Sequence, residues 1–354
     1  MIKIGSKMLG PDREAFIVAE IGGNHGGDPA LARRMVKAAA DCGAAAVKFQ
    51  AYRTSEFLSP FSPYFDELAA EELAFEDLGQ LVALAHDLDI CAGLTIFDLD
   101  GLDLAKDCGA DFIKISSGDI SHNRLLSAAA QTGRPLIIST GASTRAEVRT
   151  ALDYLRPAED HLLLMQCASL YPSPPEAANL AVMRTWLDEG LAAGYSDHVL
   201  GPSAALAALR LGALAVEKHF TTSRNLPGGD NSISAEAEEI ALLAAEARRV
   251  PARTEAQQPQ TEADRTLLGS PHKYVHPLEE PVRALIRRTA TAVVDLQAGR
   301  QLTWTDLALR RPPQANGRHF PPSALPHLIG RTLRKDVKAG RPLMPADLKD
   351  EAHG

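Results

Sequence analysis

Eight short apolar segments, each ending near a polar residue able to do chemistry, constrain the fold of this chain more than any other feature. Between Phe16 and His219 the chain contains, in order, FIVAE, AVKFQ, CAGLT, FIKISSG, PLIIST, LLLMQCAS, AAGYSDH and LAVEKH. Stretches with helical periodicity, such as PALARRMVKAAADCG and TRAEVRTALDYL, separate them. Continuous apolar runs are typical of buried parallel strands, and their alternation with helices indicates βα units. Eight such units predict a (β/α)8 TIM barrel of the α/β class, with its active site where the strands end.

A change in composition predicts a second, smaller domain. The chain has 354 residues, more than a barrel alone needs. Residues 254–286 are rich in Pro, Gln and charged residues, and they are predicted to link a barrel at 1–253 to a module at 287–354. The module carries one short pattern twice, each copy with Ala-Gly-Arg, at 298–300 and 339–341. This near-repeat predicts a compact, mainly β module with internal pseudo-symmetry.

Charge and composition exclude several classes of function. The net charge of -8 gives no reason to expect binding to nucleic acid or to an anionic membrane surface. The first residues, MIKIGSKMLGPDREAF, lack the apolar core of a secretion signal, and no apolar stretch is long enough to span a bilayer. A cytoplasmic protein is therefore predicted. Its cysteines lack CxxC spacing, and we expect reduced, mostly buried thiols at Cys42, Cys91, Cys108 and Cys167.

Two histidines close the seventh and eighth predicted strands, in the segments YSDH and VEKH. Adjacent strands lie about 4.8 Å apart, so His198 and His219 at matching heights can converge on one metal ion. Glu217 lies two positions before His219 and therefore on the same face of its strand. The pair predicts a metal site with positions left open for water or substrate. The alternative is that each histidine only hydrogen-bonds a neighbouring loop.

Two lysines, Lys48 and Lys114, lie among apolar neighbours on the second and fourth predicted strands. A buried ammonium group without a counter-charge is costly, so each lysine needs an anionic partner. One alternative is a salt bridge to Glu20 or Glu217, and another is a Schiff base formed with the substrate. A third is a phosphorylated or carboxylated ligand, held by both lysines and by a ring of hydroxyl groups from Thr95, Ser117, Ser139, Ser169 and Ser196.

The loop after the first strand, EIGGNHGGDP, is rich in glycine but lacks the GxGxxG spacing of a dinucleotide site. Asp28 can cap the following helix, and Pro29 suits its first position. We expect His25 to be an orienting or structural residue.

Seven motifs resemble those of the N-acetylneuraminate (sialic acid) synthase family, namely AEIGGNHGG, AVKFQ, FIKISSGD, IISTG, YPSP, GYSDH and VEKHF, in this order. The resemblance includes the legionaminate- and pseudaminate-type synthases. It covers nearly the whole chain, because the C-terminal module is similar to the family's antifreeze-like (SAF) domain. It implies condensation of phosphoenolpyruvate with an N-acetylated aldose and water to give a nonulosonic acid and phosphate, with Mn²⁺ or Mg²⁺ as the divalent metal.

Carried over residue by residue, the resemblance implies that His198 and His219 are metal ligands and that Glu217 is a nearby acidic residue. The matches to phosphoenolpyruvate contacts are Lys48, Thr95, Lys114, Ser117, Ser139, Ser169 and Ser196, of which Ser169 stands where sialic acid enzymes carry Asn. The matches to sugar-side or metal-side positions are Glu20, Gln50, Tyr171 and Asp230. Arg311 matches an arginine that the antifreeze-like domain inserts into the partner subunit's site. The family's Arg-Pro-Gly reads RRPPQANG here, so the loop that carries Arg311 departs from the pattern.

This chemistry fits the residue types themselves. A metal ion on the histidine pair could polarise the sugar aldehyde, and two lysines could stabilise the departing phosphate. Glu217 is the first candidate for the base that handles water, and other carboxylates could share proton transfer. The predicted catalytic group is Glu20, Lys48, Lys114, Glu217 and Asp230.

The sequence does not select the acceptor sugar among N-acetylmannosamine, a diacetamido-trideoxyhexose and a phosphorylated sugar. The stretch TSRNLPGGDNS resembles the pattern of legionaminate-type and some sialate synthases more than that of the pseudaminate type. Two other classes of function also stay open. One is another metal-dependent barrel aldolase or deoxy-ketoacid synthase, and the other is a non-catalytic sugar-binding relative. Four costly polar side chains in an apolar barrel mouth argue against the second.

The last expectation concerns assembly. A linker of about 30 residues can reach a neighbouring subunit, and a module of about 68 residues gains stability by docking. We therefore expect a domain-swapped homodimer, in which each module caps the barrel of the other subunit and supplies Arg311. Such a cap would also exclude water from a reactive intermediate.

Overall fold

The structure of the chain, a computed structural model, describes residues 1–249, 261–314 and 318–349. Its strands are β1 (Ile2–Ile4), β2 (Lys7–Leu9), β3 (Phe16–Glu20), β4 (Ala46–Ala51), β5 (Cys91–Ile96), β6 (Phe112–Ile115), β7 (Leu136–Ser139), β8 (Leu162–Cys167), β9 (Ala193–Asp197), β10 (Ala215–His219), β11 (Thr289–Ala292) and β12 (Leu307–Arg310). Its α-helices are α1 (Pro29–Asp41), α2 (Thr54–Phe57), α3 (Phe65–Glu71), α4 (Phe75–Asp87), α5 (Leu99–Asp107), α6 (Asn123–Ala130), α7 (Arg145–Leu155), α8 (Leu180–Asp188), α9 (Ser203–Arg210), α10 (Ala237–Arg249), α11 (Glu262–Leu268), α12 (Glu280–Ile286) and α13 (Leu325–Leu328).

Strands β3 to β10 form a closed parallel barrel in which neighbours follow chain order and β10 pairs with β3. They coincide with the eight apolar segments of the sequence, and at least one helix separates each consecutive pair. Apart from Gln50 at the end of β4, every residue of these strands is buried. The predicted (β/α)8 barrel is therefore confirmed.

The end of the barrel where the strands begin is filled with apolar side chains. Phe16 and Phe112 lie in this cluster, and the β1–β2 hairpin packs against it. Gly93 provides the space that one of these rings occupies, because a Cβ there would lie 2.2 Å from Cζ of Phe112. A filled interior at this end leaves the opposite end, where the strands finish, to form the site.

The strand register brings polar residues together at that opposite end. Glu20 pairs with His219 on one side and with Lys48 on the other. Thr95 pairs with Lys114 on the next two strands. Residues on neighbouring strands of a parallel sheet are about 4.8 Å apart, so their side chains can meet.

The C-terminal module has the pseudo-symmetry that its near-repeat predicts. Strands β11 and β12 pair antiparallel. Leu296 and Val337, which occupy equivalent positions in the two copies of the pattern, exchange backbone hydrogen bonds of 2.8 Å in both directions. The module has its own small apolar core, which includes Leu302 and the equivalent Leu343.

In the single chain described here, the C-terminal module lies against the barrel. Arg288 is buried, and its Nε donates to Oδ1 of Asp119 at 2.7 Å while its Nη2 donates to the carbonyl oxygen of Phe97 at 2.8 Å. The predicted boundary at 253–254 lies outside the described residues. The predicted linker, 254–286, contains helices α11 and α12 in its described part.

All four cysteines are free, with Cys91 and Cys167 buried and the other two half-buried. Within the described ranges, every helix is too short or too polar to cross a membrane.

Candidate active site

A cavity of about 400 Å³ lies at the end of the barrel where the strands finish. Every residue that the sequence assigns to the site lines this cavity. The residues come from all eight barrel strands or the loops that follow them, and Arg311 comes from the C-terminal module. One cavity therefore unites the predicted metal, anion and sugar positions.

The histidine pair lies on one wall, with ring centroids 5.4 Å apart. Nδ1 of His198 is 2.7 Å from the carbonyl oxygen of Ala168, a contact that orients the ring. Nδ1 of His219 is buried without a hydrogen-bond partner among the described residues, and Oδ2 of Asp230 lies 3.4 Å from it. The ring of Tyr171 lies over His198, with centroids 4.1 Å apart. The alternative that each histidine only hydrogen-bonds a neighbouring loop therefore explains the position of His198 but not that of His219.

The two lysines share carboxylate partners inside the cavity. Lys48 contacts the carboxylate of Glu20 and donates to Oγ1 of Thr95 at 2.6 Å. Glu217 lies between the lysines, with one oxygen 3.5 Å from Nζ of Lys114 and the other 3.8 Å from Nζ of Lys48. The salt bridges considered from the sequence are therefore present, and the same lysines line the cavity.

Opposite pKa shifts distinguish the two buried glutamates. Burial raises the pKa of Glu20 by more than the nearby Lys48 lowers it. Burial also acts to raise the pKa of Glu217, but Lys114 and Lys48 outweigh it and, with a hydrogen bond from Ser196, bring it to about 2. The two carboxylates therefore differ in proton affinity, and Glu20 is the more basic of the two.

Hydroxyl groups surround the lysines on the side of β6 to β9. Oγ of Ser117 accepts the backbone N–H of Gly141 at 2.9 Å. A Cβ at Gly141 would lie 2.2 Å from Oγ of Ser169, so this loop packs closely against the end of β8. Oγ of Ser139 is buried without a partner among the described residues. A buried polar atom of this kind on a cavity wall is available to a ligand.

Arg311 enters the cavity from the C-terminal module of the same chain. Its guanidinium lies 5.2 Å from the ring centroid of Phe57 and 5.5 Å from that of Phe97. Its backbone N–H donates to the carbonyl oxygen of Phe57 at 2.8 Å. Burial lowers the pKa of Arg311 to about 10, against the effect of Asp119. The departure RRPPQANG leaves this arginine in the cavity, although residues 315–317 of that loop lie outside the described residues.

A second cavity of about 330 Å³ shares part of its wall with the first. Gln50, Asp230 and Arg311 line both. Lys48, Lys114 and the hydroxyl ring line only the first. Three of the predicted sugar-side residues therefore lie toward the second cavity, whereas Glu20 and Tyr171 line only the first, as the predicted anion-binding residues do.

Some cavity residues were not predicted. Cys167 lines the wall with its Sγ 3.8 Å from Nδ1 of His198, although it was predicted only to be a buried thiol. Its place at the end of a barrel strand is the sequence signal that could have predicted that it lines the cavity. Val282 and Ile286 of α12 also line the cavity. No local pattern marks them, because they belong to a segment that is predicted to be a linker.

The loop after β3 has the structural role expected of it. The side chain of Asp28 accepts the N–H of Ala30 and caps α1, which begins at Pro29. Nδ1 of His25 accepts the N–H of Gly27 at 3.0 Å. Neither Asp28 nor His25 lines the main cavity.

Comparison with known proteins gives two matches that together cover most of the chain. Residues 35–258 match the NeuB family, and residues 287–349 match the SAF domain. The N,N'-diacetyllegionaminic acid synthase of Legionella pneumophila is 36% identical to this chain, over 96% of each protein.

Two solved structures share the architecture. The spore coat polysaccharide biosynthesis protein SpsE of Bacillus subtilis superposes with a TM-score of 0.82 and 28% identity, over 99% of each chain. The N-acetylneuraminic acid (sialic acid) synthetase of Leptospira borgpetersenii, in complex with citrate, gives a TM-score of 0.68 and 34% identity. That match covers 79% of this chain and 93% of the other.

Proposed function

Because the chain belongs to the NeuB family and carries a SAF domain, we propose that it is a nonulosonic (sialic-type) acid synthase. It condenses phosphoenolpyruvate with an N-acetylated aldose and water, and it releases phosphate. One observation carries this proposal: two buried lysines, a ring of hydroxyl groups and a histidine pair line a single cavity.

The barrel-axis half of the cavity suits phosphoenolpyruvate. This substrate carries a phosphate and a carboxylate, both of which are stabilised by ammonium groups and hydroxyl donors. Lys48 and Lys114 supply the charges, and Oγ of Ser139 is free to donate. Thr95, Ser117, Ser169 and Ser196 complete the ring.

His198 and His219 fit a divalent metal ion, Mn²⁺ or Mg²⁺. The unpartnered Nδ1 of His219 lies beside the Asp230 carboxylate, and the Ala168 carbonyl oxygen orients His198 as an outer-shell partner would. In residues 1–249, 261–314 and 318–349, no group of three or more His, Cys, Asp or Glu side chains is arranged to hold a metal. A bound metal would supply a Lewis acid for the acceptor's aldehyde.

The charges in the cavity suit the condensation. C3 of the enol attacks the aldehyde carbon, and positive charge develops at C2. Glu217, ionised between the two lysines, is placed to stabilise that charge. Water then adds to C2 and the tetrahedral intermediate expels phosphate, whose negative charge Lys48 and Lys114 stabilise.

Proton transfer falls more naturally to Glu20 than to Glu217. A carboxylate with a pKa of about 2 is a weak base, so Glu217 is poorly suited to take a proton from water. Burial raises the pKa of Glu20 and also that of Asp230. We therefore place Glu20 first as the base, with Asp230 as its partner on the sugar side, and this order differs from the sequence-based one.

The acceptor sugar lies toward the second cavity. Gln50, Asp230 and Arg311 belong to both cavities and can donate to or accept from sugar hydroxyl and acetamido groups. Tyr171 lies over His198 on the same side. Phosphoenolpyruvate on the barrel axis would then face the aldehyde carbon of a sugar held between the two cavities.

Incubation with phosphoenolpyruvate and single aldoses tests the function. The expected result is phosphate release that depends on an N-acetylated aldose, with a product mass equal to both substrates plus water minus phosphoric acid. N-acetylmannosamine, a diacetamido-trideoxyhexose and a phosphorylated N-acetylmannosamine are compared. Turnover with only an unacetylated aldose phosphate would place the enzyme with the deoxy-heptulosonate-type synthases. Absence of turnover with every sugar would contradict the synthase assignment.

The proposed working unit is a homodimer with exchanged C-terminal modules. In the described chain the module contacts its own barrel, while the connection between residues 249 and 261 lies outside the described residues. A swapped arrangement would keep every module–barrel contact and change only the chain that supplies it. The same contacts are thus available within one chain or between two.

Mixing two inactive variants distinguishes these arrangements. We expect Arg311→Ala and Lys114→Ala, each nearly inactive alone, to recover partial activity as a mixed dimer. In a swapped dimer, one of the two sites then receives an intact barrel and an intact Arg311. Phosphate release is measured after subunit exchange has been verified with differently tagged chains, and each variant mixed with itself is the control. Verified exchange without recovery would mean that the module serves its own barrel.

A further inference from the structure

We propose that Glu279 is a positioning residue for the phosphoenolpyruvate half of the site. It belongs to residues 270–287, here called the strap, which run along the barrel mouth to the first residue of the C-terminal module. The inference rests on the proposed function, because it assigns Glu279 to the binding of that substrate. It concerns a segment whose composition alone predicts only a linker.

The carboxylate of Glu279 is buried, with 2% of the residue exposed. One oxygen accepts two backbone N–H groups, that of Ala142 at 2.7 Å and that of Ser169 at 2.6 Å. The other oxygen accepts the N–H of His276 at 3.0 Å. These bonds join the loop after β7, the end of β8 and the strap at one point.

The loop after β7 needs such support. Ala142 has a φ of 48°, a left-handed conformation that is costly for a residue with a side chain. Its neighbour Gly141 donates its N–H to Oγ of Ser117 and lies against Oγ of Ser169. The bond from Ala142 to Glu279 therefore holds the loop where two hydroxyl groups of the phosphoenolpyruvate half meet it.

Arg287, at the end of the strap, binds the same loop. Its guanidinium donates to the carbonyl oxygens of Ser117 at 2.8 Å and of Ala142 at 2.9 Å, and to Oγ of Ser143 at 2.9 Å. Lys273, also in the strap, donates to Oε1 of Gln166 on β8 at 3.1 Å. Thus the strap binds the loops after β6 and β7 and strand β8 itself, on the hydroxyl side of the cavity.

The contacts of Glu279 are confined to that side. Its described hydrogen-bond partners lie after β7, after β8 and in the strap itself. Gln50 and Asp230, which face the sugar side, belong to β4 and to the loop after β10. A loss of Glu279 should therefore impair phosphoenolpyruvate binding more than sugar binding.

The test compares Glu279→Ala and Glu279→Gln with Glu280→Ala in the full-length, metal-loaded protein. Glu280, the exposed next residue and the first of α12, serves as the matched control. Calorimetry gives the Kd for phosphoenolpyruvate, and steady-state kinetics give KM for both substrates. We expect Glu279→Ala to raise the Kd and KM for phosphoenolpyruvate at least tenfold, with KM for the aldose within twofold. Glu280→Ala should leave all three within twofold.

Glu279→Gln keeps the side-chain volume, so it decides the question if the alanine variant does not fold. An amide presents one donor end and cannot accept all three N–H groups, so its Kd for phosphoenolpyruvate should rise at least threefold. Hydrogen exchange should also speed up at residues 139–143 and not in β4. An unchanged Kd in the folded glutamine variant, or equal rises in both KM values, would overturn the inference. Failure of the unaltered protein to bind phosphoenolpyruvate would instead contradict the proposed function.

Discussion

Replacing His198 and His219 together by alanine is expected to abolish phosphate release. The two imidazoles are the proposed protein ligands of the divalent metal, and the unpartnered Nδ1 of His219 has no other described role. Chelation of the unaltered protein should have the same effect, and Mn²⁺ or Mg²⁺ should restore turnover. A Lewis acid typically contributes several kcal/mol to such a step, so the expected loss is at least 1000-fold.

Metal content provides a measurement that does not depend on turnover. The double variant should retain the folded barrel by circular dichroism while losing metal by elemental analysis. His272→Ala removes an exposed histidine outside the cavity and should keep both metal and activity. Unchanged phosphate release in the double variant would show that the metal assignment is wrong.

Replacing Lys114 by alanine is expected to lower kcat/KM for phosphoenolpyruvate by more than 100-fold. The change removes a charge-assisted contact worth about 1.5–3 kcal/mol and part of the electrostatic stabilisation of departing phosphate. It also leaves Glu217 without the closer of its two lysine neighbours. Burial lowers the pKa of Lys114, and the adjacent Glu217 carboxylate acts in the opposite direction.

Two controls define the role of this lysine. Lys106→Ala removes an exposed lysine on α5 and should leave the kinetics unchanged. Borohydride treatment during turnover tests for a Schiff base, and we expect no covalent adduct on Lys114 or Lys48. Trapping of a substrate on either lysine would favour the Schiff-base alternative over anion binding.

The strand-end pattern was sufficient to predict which residues meet in the site. Each predicted strand is a short apolar run, and its pleat fixes which residues point inward. Once eight such strands close in chain order, residues at their ends must converge, and this explains why positions as far apart as Glu20 and His219 could be predicted to share a cavity. The pairing of Lys48 with Glu20 was one alternative among several until the register placed the two side by side.

Contacts from outside the barrel could not be predicted in this way. Glu279 binds the N–H of Ser169 across 110 positions of the chain, and the rings of Phe57 and Phe97 hold Arg311 from another domain. Hydrophobic periodicity reports only local structure, and a polar, proline-containing segment gives little periodic signal even where it packs closely.

The sequence by itself therefore determined the barrel, its order of strands and the chemistry at their ends, because each of these depends on patterns within about 20 residues. Only the tertiary structure decided how the strap and the C-terminal module complete the cavity. Their side chains are fixed by docking, through buried pairs such as Arg288 with Asp119. The energy of such a pair depends on the geometry of two distant segments, and no local pattern in either segment encodes it.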